Sequence, residues 1–545
     1  MKKDETGRRQ FIKSSLAWLA AGSQSLRTRA KAEALALHES ISSGPFAPSW
    51  ESLMQYHAPA WFRNAKFGIA AHWDPQSVPE DGDWYARNMY IQGTEQYNSH
   101  LMQYGHPSQF GYKELCHAWK AENWQPEHLL ETYKATGARY FVALANHHDG
   151  FDCWNSRYQR WNAVNMGPMR DVVGTWAECA RQQSLHFGVL VFATQNWEWF
   201  NVSHGSDKIG PFKGIPYDGN LTERDGEGRW WQGFNPQALY GPPHPDNAAP
   251  SPHYIQNFFN RTKDVIDQYR PDLVFFTDKG LPLGETGLRL AAHFYNSSRQ
   301  WHHGNVEAVI NTKHEQPGLE SALVWDRLPG DAIEPFPWQM DICIGDWHYK
   351  RGIVYKSAAD VIPYLVDIVS KNGNLLMNIP LRPNGTFDEE ERRVLKAIAS
   401  WMRINGEAIF DSRPWKCFGE GPTRAPIVDF PFRHVRYTPQ DIRFTQKGAA
   451  LYAIAMGWPA HGRLTVKSLC RQQGNNRTEI VDVELLGHGG KLDWKRDADG
   501  LTISLPDKPP CQFAYTFKIR SSGLIENPAG SDASMTCFVD QCCVD

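Results

Sequence analysis

Nowhere do the 545 residues run through about 18 consecutive apolar positions, so no membrane-spanning helix is expected. The net charge is only −3, with both signs well mixed, which gives no electrostatic pull toward nucleic acid or an anionic membrane. Ten cysteines are scattered between Cys116 and Cys543, and none forms a CxxC pair. A structural zinc site is therefore not expected. An oxidising compartment would permit disulfides, but the spacing does not pair them.

The length calls for more than one ordinary domain, and a barrel of roughly 250 residues or more plus a second domain fits it. Aromatic residues make up 13% of the chain, with 22 Trp. Such a supply suits stacking on sugar faces, although core filling accounts for most of it. At the N-terminus, Arg8-Arg9-Gln10-Phe11-Ile12-Lys13 and the short apolar run Ser14 to Gly22 have the pattern of a twin-arginine export signal, with Ala30-Lys31-Ala32 as a small-x-small cleavage site. Residues 1–32 are read as that signal, which places the mature protein in the periplasm or outside the cell.

From residue 33 to 412, buried strands alternate with helices and end in polar residues. Lys66 to Ala71 runs into His72-Trp73-Asp74. Tyr140 to Ala145 runs into Asn146-His147-His148-Asp149, then Gly150 and an aromatic loop. Phe187 to Phe192 leads to Thr194, Gln195, Asn196 and Trp197, and Pro271 to Phe276 leads to Thr277-Asp278. Further strands are expected at Ala308–Asn311, 322–326, 340–345 and Asn374–Ile379. Alternation of strand and helix predicts a parallel sheet. Polar clusters at strand C-termini favour a closed α/β barrel, (β/α)8-like, over a doubly wound sheet. Residues 198–250 form a long Gly/Pro/aromatic insertion. Residues 413–520 alternate as a small antiparallel β-sandwich, with strands expected at Ala450–Met456, Arg463–Val466, Val481–Leu486, Leu501–Leu505 and Phe513–Ile519. Residues 521–545 read as a disordered tail.

Two groups carry chemistry. His147-His148-Asp149 are adjacent, and neighbours on an extended strand point to opposite faces. That spacing suits contact with sugar hydroxyls better than a metal ion, and a structural role is the bland alternative. Asp278 follows Leu273-Val274-Phe275-Phe276, where a buried strand meets a cleft. A carboxylate there is poorly solvated unless it has partners or a catalytic task. Its bland reading is a helix cap or a solvated loop Asp. Glycoside hydrolysis uses two carboxyl groups, one at the anomeric carbon and one at the leaving oxygen.

Several blocks in order resemble the α-L-fucosidase family of glycoside hydrolases. They are AKFGIAAHWDPQSVPEDGDWYARNMY, NHHDGFDCWNSRY with the later WN and NMGPMRDVVG, PDLVFFTD, and NGNLLMNIPLRPNGTFDEEERRVLKAIASWMRINGEAIF. The resemblance covers roughly residues 50–415 and continues weakly beyond. It implies an enzyme that releases α-L-fucose by a retaining double displacement, needs no cofactor and binds a fucosylated oligosaccharide or glycoconjugate; with the twin-arginine segment, the expectation is an exported bacterial member. Asp278 aligns with the nucleophile once one extra residue before it is allowed for. His72, Trp84, His147 and His148 align with residues that hold the fucose ring, and Trp338 belongs to the same set. Asp83 stands where many members have Glu. The family's Trp-Glu acid/base pair is Trp338-Gln339 here, and Gln cannot donate that proton. Asp341, on the same face of a strand as Gln339, and Glu334, in a Pro-containing loop, are the candidate acids, with Asp341 slightly preferred. Two alternatives stand beside this reading: a fucose-binding, lectin-like member with weakened catalysis, supported by Gln339, and the same fold acting on a related sugar such as galactose. Nothing in the residues fixes an oligomeric state.

Overall fold

A computed structural model describes residues 40–313, 316–423, 435–471 and 479–523. The twin-arginine segment, the residues beyond 523, and Cys537, Cys542 and Cys543 lie outside the described residues.

Eight parallel strands close into a barrel: β1 (Phe67–Ala71), β2 (Tyr140–Asn146), β3 (His186–Val191), β4 (Leu273–Lys279), β5 (Val309–Lys313), β6 (Val324–Asp326), β7 (Trp338–Cys343) and β8 (Gly373–Asn378). Each lies where an apolar run is expected, within a few residues. Helices α1 (Pro126–Ala135), α2 (Val172–Gln182), α3 (Pro252–Tyr269), α4 (Glu285–Trp301), α5 (Ala358–Ser370) and α6 (Glu389–Ile409) pack outside it. Among the described residues, no helix separates β5 from β6 or β6 from β7.

Alternation along the strands divides the core. Ala70, Val142, Leu190, Phe275, Val309, Val324 and Leu376 fill the barrel, while Ile69, Phe141, Val189, Phe276, Ile310, Trp325 and Met377 face the outer helices. Continuous apolar runs in the sequence are the consequence, because both faces are buried. Gly68 points inward beside Tyr140; a Cβ there would lie 2.3 Å from the tyrosine ring. The small residue makes room for a large one within a single barrel layer.

The C-terminal part is a separate antiparallel domain. Its strands are β9 (Arg413–Glu420), β10 (Ile442–Lys447), β11 (Ala450–Ala455), β12 (Arg463–Val466), β13 (Ile480–Leu485), β14 (Trp494–Asp497), β15 (Gly500–Ser504) and β16 (Tyr515–Ser521). They form a five-stranded sheet, β13-β16-β11-β10-β9, and a three-stranded one, β12-β15-β14. The five strands expected from alternation are present; β9, β10 and β14 are additional. The domain docks on α5 and α6 through Asp367, which is buried between Lys371 Nζ at 2.7 Å and Arg443 Nε at 2.6 Å. Cys116, Cys153, Cys179, Cys343 and Cys511 are free thiols.

Candidate functional site

Four histidines meet at the C-terminal ends of β1, β2 and β7. His72 follows β1, and His147 and His148 follow β2. The fourth, His348, lies in the loop after β7 and was not singled out from the sequence. Ring centroids are 4.4 Å apart for His147–His148, 5.1 Å for His147–His348 and 6.2 Å for His72–His147. All four are buried.

The hydrogen bonds fix which nitrogens carry protons. Asn378 Oδ1 takes the backbone N–H of His72 and lies 2.8 Å from His72 Nδ1. His72 Nδ1 therefore donates, leaving Nε2 as an acceptor. His148 Nδ1 donates to the carbonyl of Phe192 at 2.9 Å, so its Nε2 is likewise an acceptor. Gln76 Nε2 donates to Asp149 Oδ2 at 2.8 Å and lies 2.9 Å from His147 Nδ1. That makes His147 Nδ1 an acceptor and Nε2 a donor. Burial, with the charge of His348 adding to it, lowers His72 to about 4. Burial also holds His148 near 4 and His147 well below the ordinary range. These three are neutral imidazoles: two acceptors and one donor aimed by fixed partners, which suits an array of hydroxyls.

His348 is the opposite case. Burial opposes its charge, but Asp74 and Asp83 outweigh burial and raise its pKa well above normal. Asp74 is fully buried; the imidazolium holds it ionised against burial. Asp149 beside it is pushed well up by burial and then by Asp74, so the proton resides on Asp149. Asp83 Oδ1 lies 2.6 Å from His348 Nδ1 and 3.8 Å from His147 Nε2. Among the described residues, Asp83, His147 and His348 are the one trio whose ligand atoms, all within 4.8 Å of one another, could share a metal ion. The 2.6 Å contact is a hydrogen bond and occupies two of those atoms.

Trp84, next to Asp83, is 44% exposed. Its ring lies 6.4 Å from His148 and 6.1 Å from Trp199, which is in turn 5.5 Å from His148. The insertion thus contributes Trp199 to the site wall. Trp231 is loop core, Trp197 stacks on His244, and the exposed Trp230 stacks on His117.

The carboxyl groups lie on β4, β6 and β7. At the end of β4 the register with β5 slips between Phe276 and Lys279. The extra residue noted before Asp278 falls in this irregularity, and such a bulge re-aims the side chains it carries. Thr312 Oγ1 holds the Asp278 carbonyl at 2.9 Å. The Asp278 side chain is half-buried beside Thr194, and its buried Oδ2 has no hydrogen-bond partner. Burial pushes its pKa up to about 6, with Thr194 opposing.

Inward-facing residues on the next three strands form a second acidic group. Lys313 Nζ lies 3.6 Å from Asp326 Oδ2 and 3.4 Å from Asp341 Oδ2, and the Asp341 backbone N–H donates to Asp326 Oδ1 at 3.0 Å. Burial, then the neighbouring Asp341, raises Asp326 well above the carboxylate range. Lys313 also lies over the Trp347 ring, 5.9 Å from its centroid, and Trp347 is 4.9 Å from His72. Asp341 therefore joins the histidine site, as its shared face with Gln339 implies. Asp326 and Lys313 were missed; each is the last residue of a short strand, the position that had identified Asp278.

Glu334 and Trp338 are not brought there. The Glu334 backbone N–H and Trp338 Nε1 both donate to the carbonyl of Lys371, just before β8 begins, at 3.2 and 2.8 Å. These contacts lie at the opposite rim, while the Glu334 carboxylate pairs with Arg327, just past the end of β6, at 2.8 Å and Trp338 packs outward. Gln339 is fully buried inside the barrel, accepting from Tyr140 Oη at 2.7 Å and donating to Asn311 Oδ1 at 2.6 Å. It lies one inward position below Asp341.

Comparison with known proteins finds relatives for both parts of the fold. The family described as Alpha-L-fucosidase matches residues 33–407, and the Alpha-L-fucosidase C-terminal domain matches residues 434–520. Tissue alpha-L-fucosidase of Homo sapiens is 28% identical over 495 residues, covering 87% of this chain and 91% of its own. Alpha-L-fucosidase of Branchiostoma floridae is 26% identical, with 87% and 96% covered. A crystal structure of Thermotoga maritima alpha-fucosidase in complex with fucose superposes with a TM-score of 0.64 at 25% identity, covering 87% of this chain and 99% of that one.

Proposed function

The chain belongs to the alpha-L-fucosidase family, and from that premise we propose how this glycoside hydrolase divides its work. It releases α-L-fucose from fucosylated glycans by a retaining double displacement. Asp278 attacks the anomeric carbon, and the Asp326–Asp341 pair supplies the acid. The pair protonates the leaving oxygen, then takes a proton from the water that cleaves the fucosyl–enzyme. Burial and mutual repulsion favour one proton on two adjacent carboxyls, while Lys313 tolerates the remaining charge. Glu334, ion-paired at the opposite rim, has no part in this scheme. His72, His147, His148 and Asp83 take the sugar hydroxyls, and Trp84 and Trp199 cover its apolar face.

The observation that carries the reading is the Asp278 carboxyl: half-buried at the C-terminal end of β4 beside Thr194, with a buried Oδ2 that no protein group occupies. The Asp278→Asn protein should lose turnover of a fluorogenic aryl fucoside yet still bind L-fucose. Undiminished turnover would remove Asp278 from the mechanism. The lectin-like alternative rested on Gln339, whose hydrogen bonds are spent inside the barrel. The Arg8-Arg9 segment supports export to the periplasm or beyond, and Arg8→Lys/Arg9→Lys should retain the precursor in the cytoplasm.

A further inference from the structure

We propose that His348 is a positioning residue for sugar recognition: clamped between Asp74 and Asp83, it fixes the Asp83 carboxylate so that its free oxygen accepts one particular hydroxyl of the sugar. The inference rests on the reading that Asp83 faces the bound fucose.

Asp83 needs such a clamp because its own backbone holds it weakly. It lies on a loop between Gly82 and Trp84, both with left-handed backbone (φ 81° and 62°). Its backbone N–H reaches Asp346 Oδ2 only at 3.4 Å, and its carbonyl takes Gln96 Nε2 at 3.0 Å. The side chain has one strong partner, His348 Nδ1, at 2.6 Å from Oδ1. Among the described residues, no donor is hydrogen-bonded to Oδ2, and the side chain keeps 14% of its surface open.

His348 is well placed for the task. It is fully buried, so it acts through Asp83 and does not touch the ligand. Its other nitrogen, Nε2, lies 3.1 Å from Asp74 Oδ1, a charge contact whose alignment falls short of a hydrogen bond. Asp74 is itself pinned, accepting the Gln76 backbone N–H at 2.8 Å. The chain Gln76–Asp74–His348–Asp83 therefore runs from the turn after β1 to the Asp83 carboxylate, with charge alternating from Asp74 to Asp83. Asp is also too short to search for a hydroxyl. A fixed acceptor of this kind penalises any sugar that lacks the matching donor.

The test is binding by the full-length Asp278→Asn protein, which does not turn over, to L-fucose and to the three derivatives that each lack one of its non-anomeric ring hydroxyls. Adding His348→Ala should weaken L-fucose roughly 10–100-fold, the range of a charge-assisted hydrogen bond. That loss should vanish against one deoxy sugar, the same one for which Asp83→Ala costs nothing. His348→Asn places an amide near Nδ1 and should restore part of the affinity for L-fucose while leaving the deoxy pattern intact. If His348→Ala does not fold, His348→Asn carries the comparison alone, with a smaller loss that again vanishes against that same deoxy sugar. Equal weakening of all the sugars by the His348 variants, or no weakening, overturns the proposal while leaving Asp83 in the site. An Asp83→Ala protein that binds every sugar unchanged overturns the proposal together with the reading beneath it.

Discussion

Replacing Asp278 with Asn should destroy activity and, at neutral pH, stabilise the fold. Burial raises this carboxyl from 3.8 to about 6. At about 1.4 kcal/mol for each tenfold change in proton affinity, the ionised form costs the folded protein on the order of 3 kcal/mol. The sign follows from proton counting. Between 3.8 and about 6 the folded chain holds a proton that the unfolded chain has released, so stability falls as pH rises through that window. Below it both states are protonated and the penalty is absent; above it the penalty is complete. Asn is neutral throughout and similar in shape, and Oδ2 has no hydrogen bond to lose.

Melting the two proteins side by side from about pH 4 to about pH 7 tests this. The curves should coincide at the acid end and separate toward neutrality, with the Asn variant higher by a few degrees. In the unsubstituted enzyme, kcat/KM should fall as pH drops through about 6, since the nucleophile must be ionised. A stability gap that does not change with pH, or an Asn variant that is less stable at pH 7, would refute the reasoning. Either result would mean that Asp278 is better solvated or better paired than its burial implies.

Asp326→Asn and Asp341→Asn should each cost about 10²–10⁴-fold on fucosides with poor leaving groups and much less on activated aryl fucosides. Equal losses on both substrate kinds would exclude the pair as the proton source. Asp367→Ala leaves Lys371 and Arg443 buried without their carboxylate. It should destabilise the junction of barrel and C-terminal domain by about 3–5 kcal/mol, read by melting or limited proteolysis, and a loss below about 1 kcal/mol would count against that junction.

The parts of the fold legible in the sequence were those where burial is two-sided. β1, β2, β3, β4 and β8 are continuous apolar runs because one face fills the barrel and the other meets helices. Legibility fell where that condition lapsed. β6 is three residues long, and no helix among the described residues flanks it on either side. β9 contains Pro414 and Lys416, and β10 carries Arg443, buried only because Asp367 neutralises it. No local pattern announces a partner 76 residues away.

The site divides along the same line. The histidines proposed for recognition, His72, His147 and His148, sit at the ends of β1 and β2, where polar side chains interrupt buried strands and stand out one sequence block at a time. The acid does not. Its two carboxyls and Lys313 come from β5, β6 and β7, and each looks like an ordinary charged residue until the barrel closes and turns them inward. Asp341 was reachable by face-sharing with Gln339, and Asp326 stood at the end of the strand expected over 322–326, where the rule that found Asp278 applies. His348 was within reach of the rule that found the others. Asp346-Trp347-His348 follows β7 as His72-Trp73-Asp74 follows β1. Both are aromatic and titratable triplets at a strand's C-terminal end, so reading that rule at every strand, β7 included, would have placed the imidazolium beside the three neutral rings.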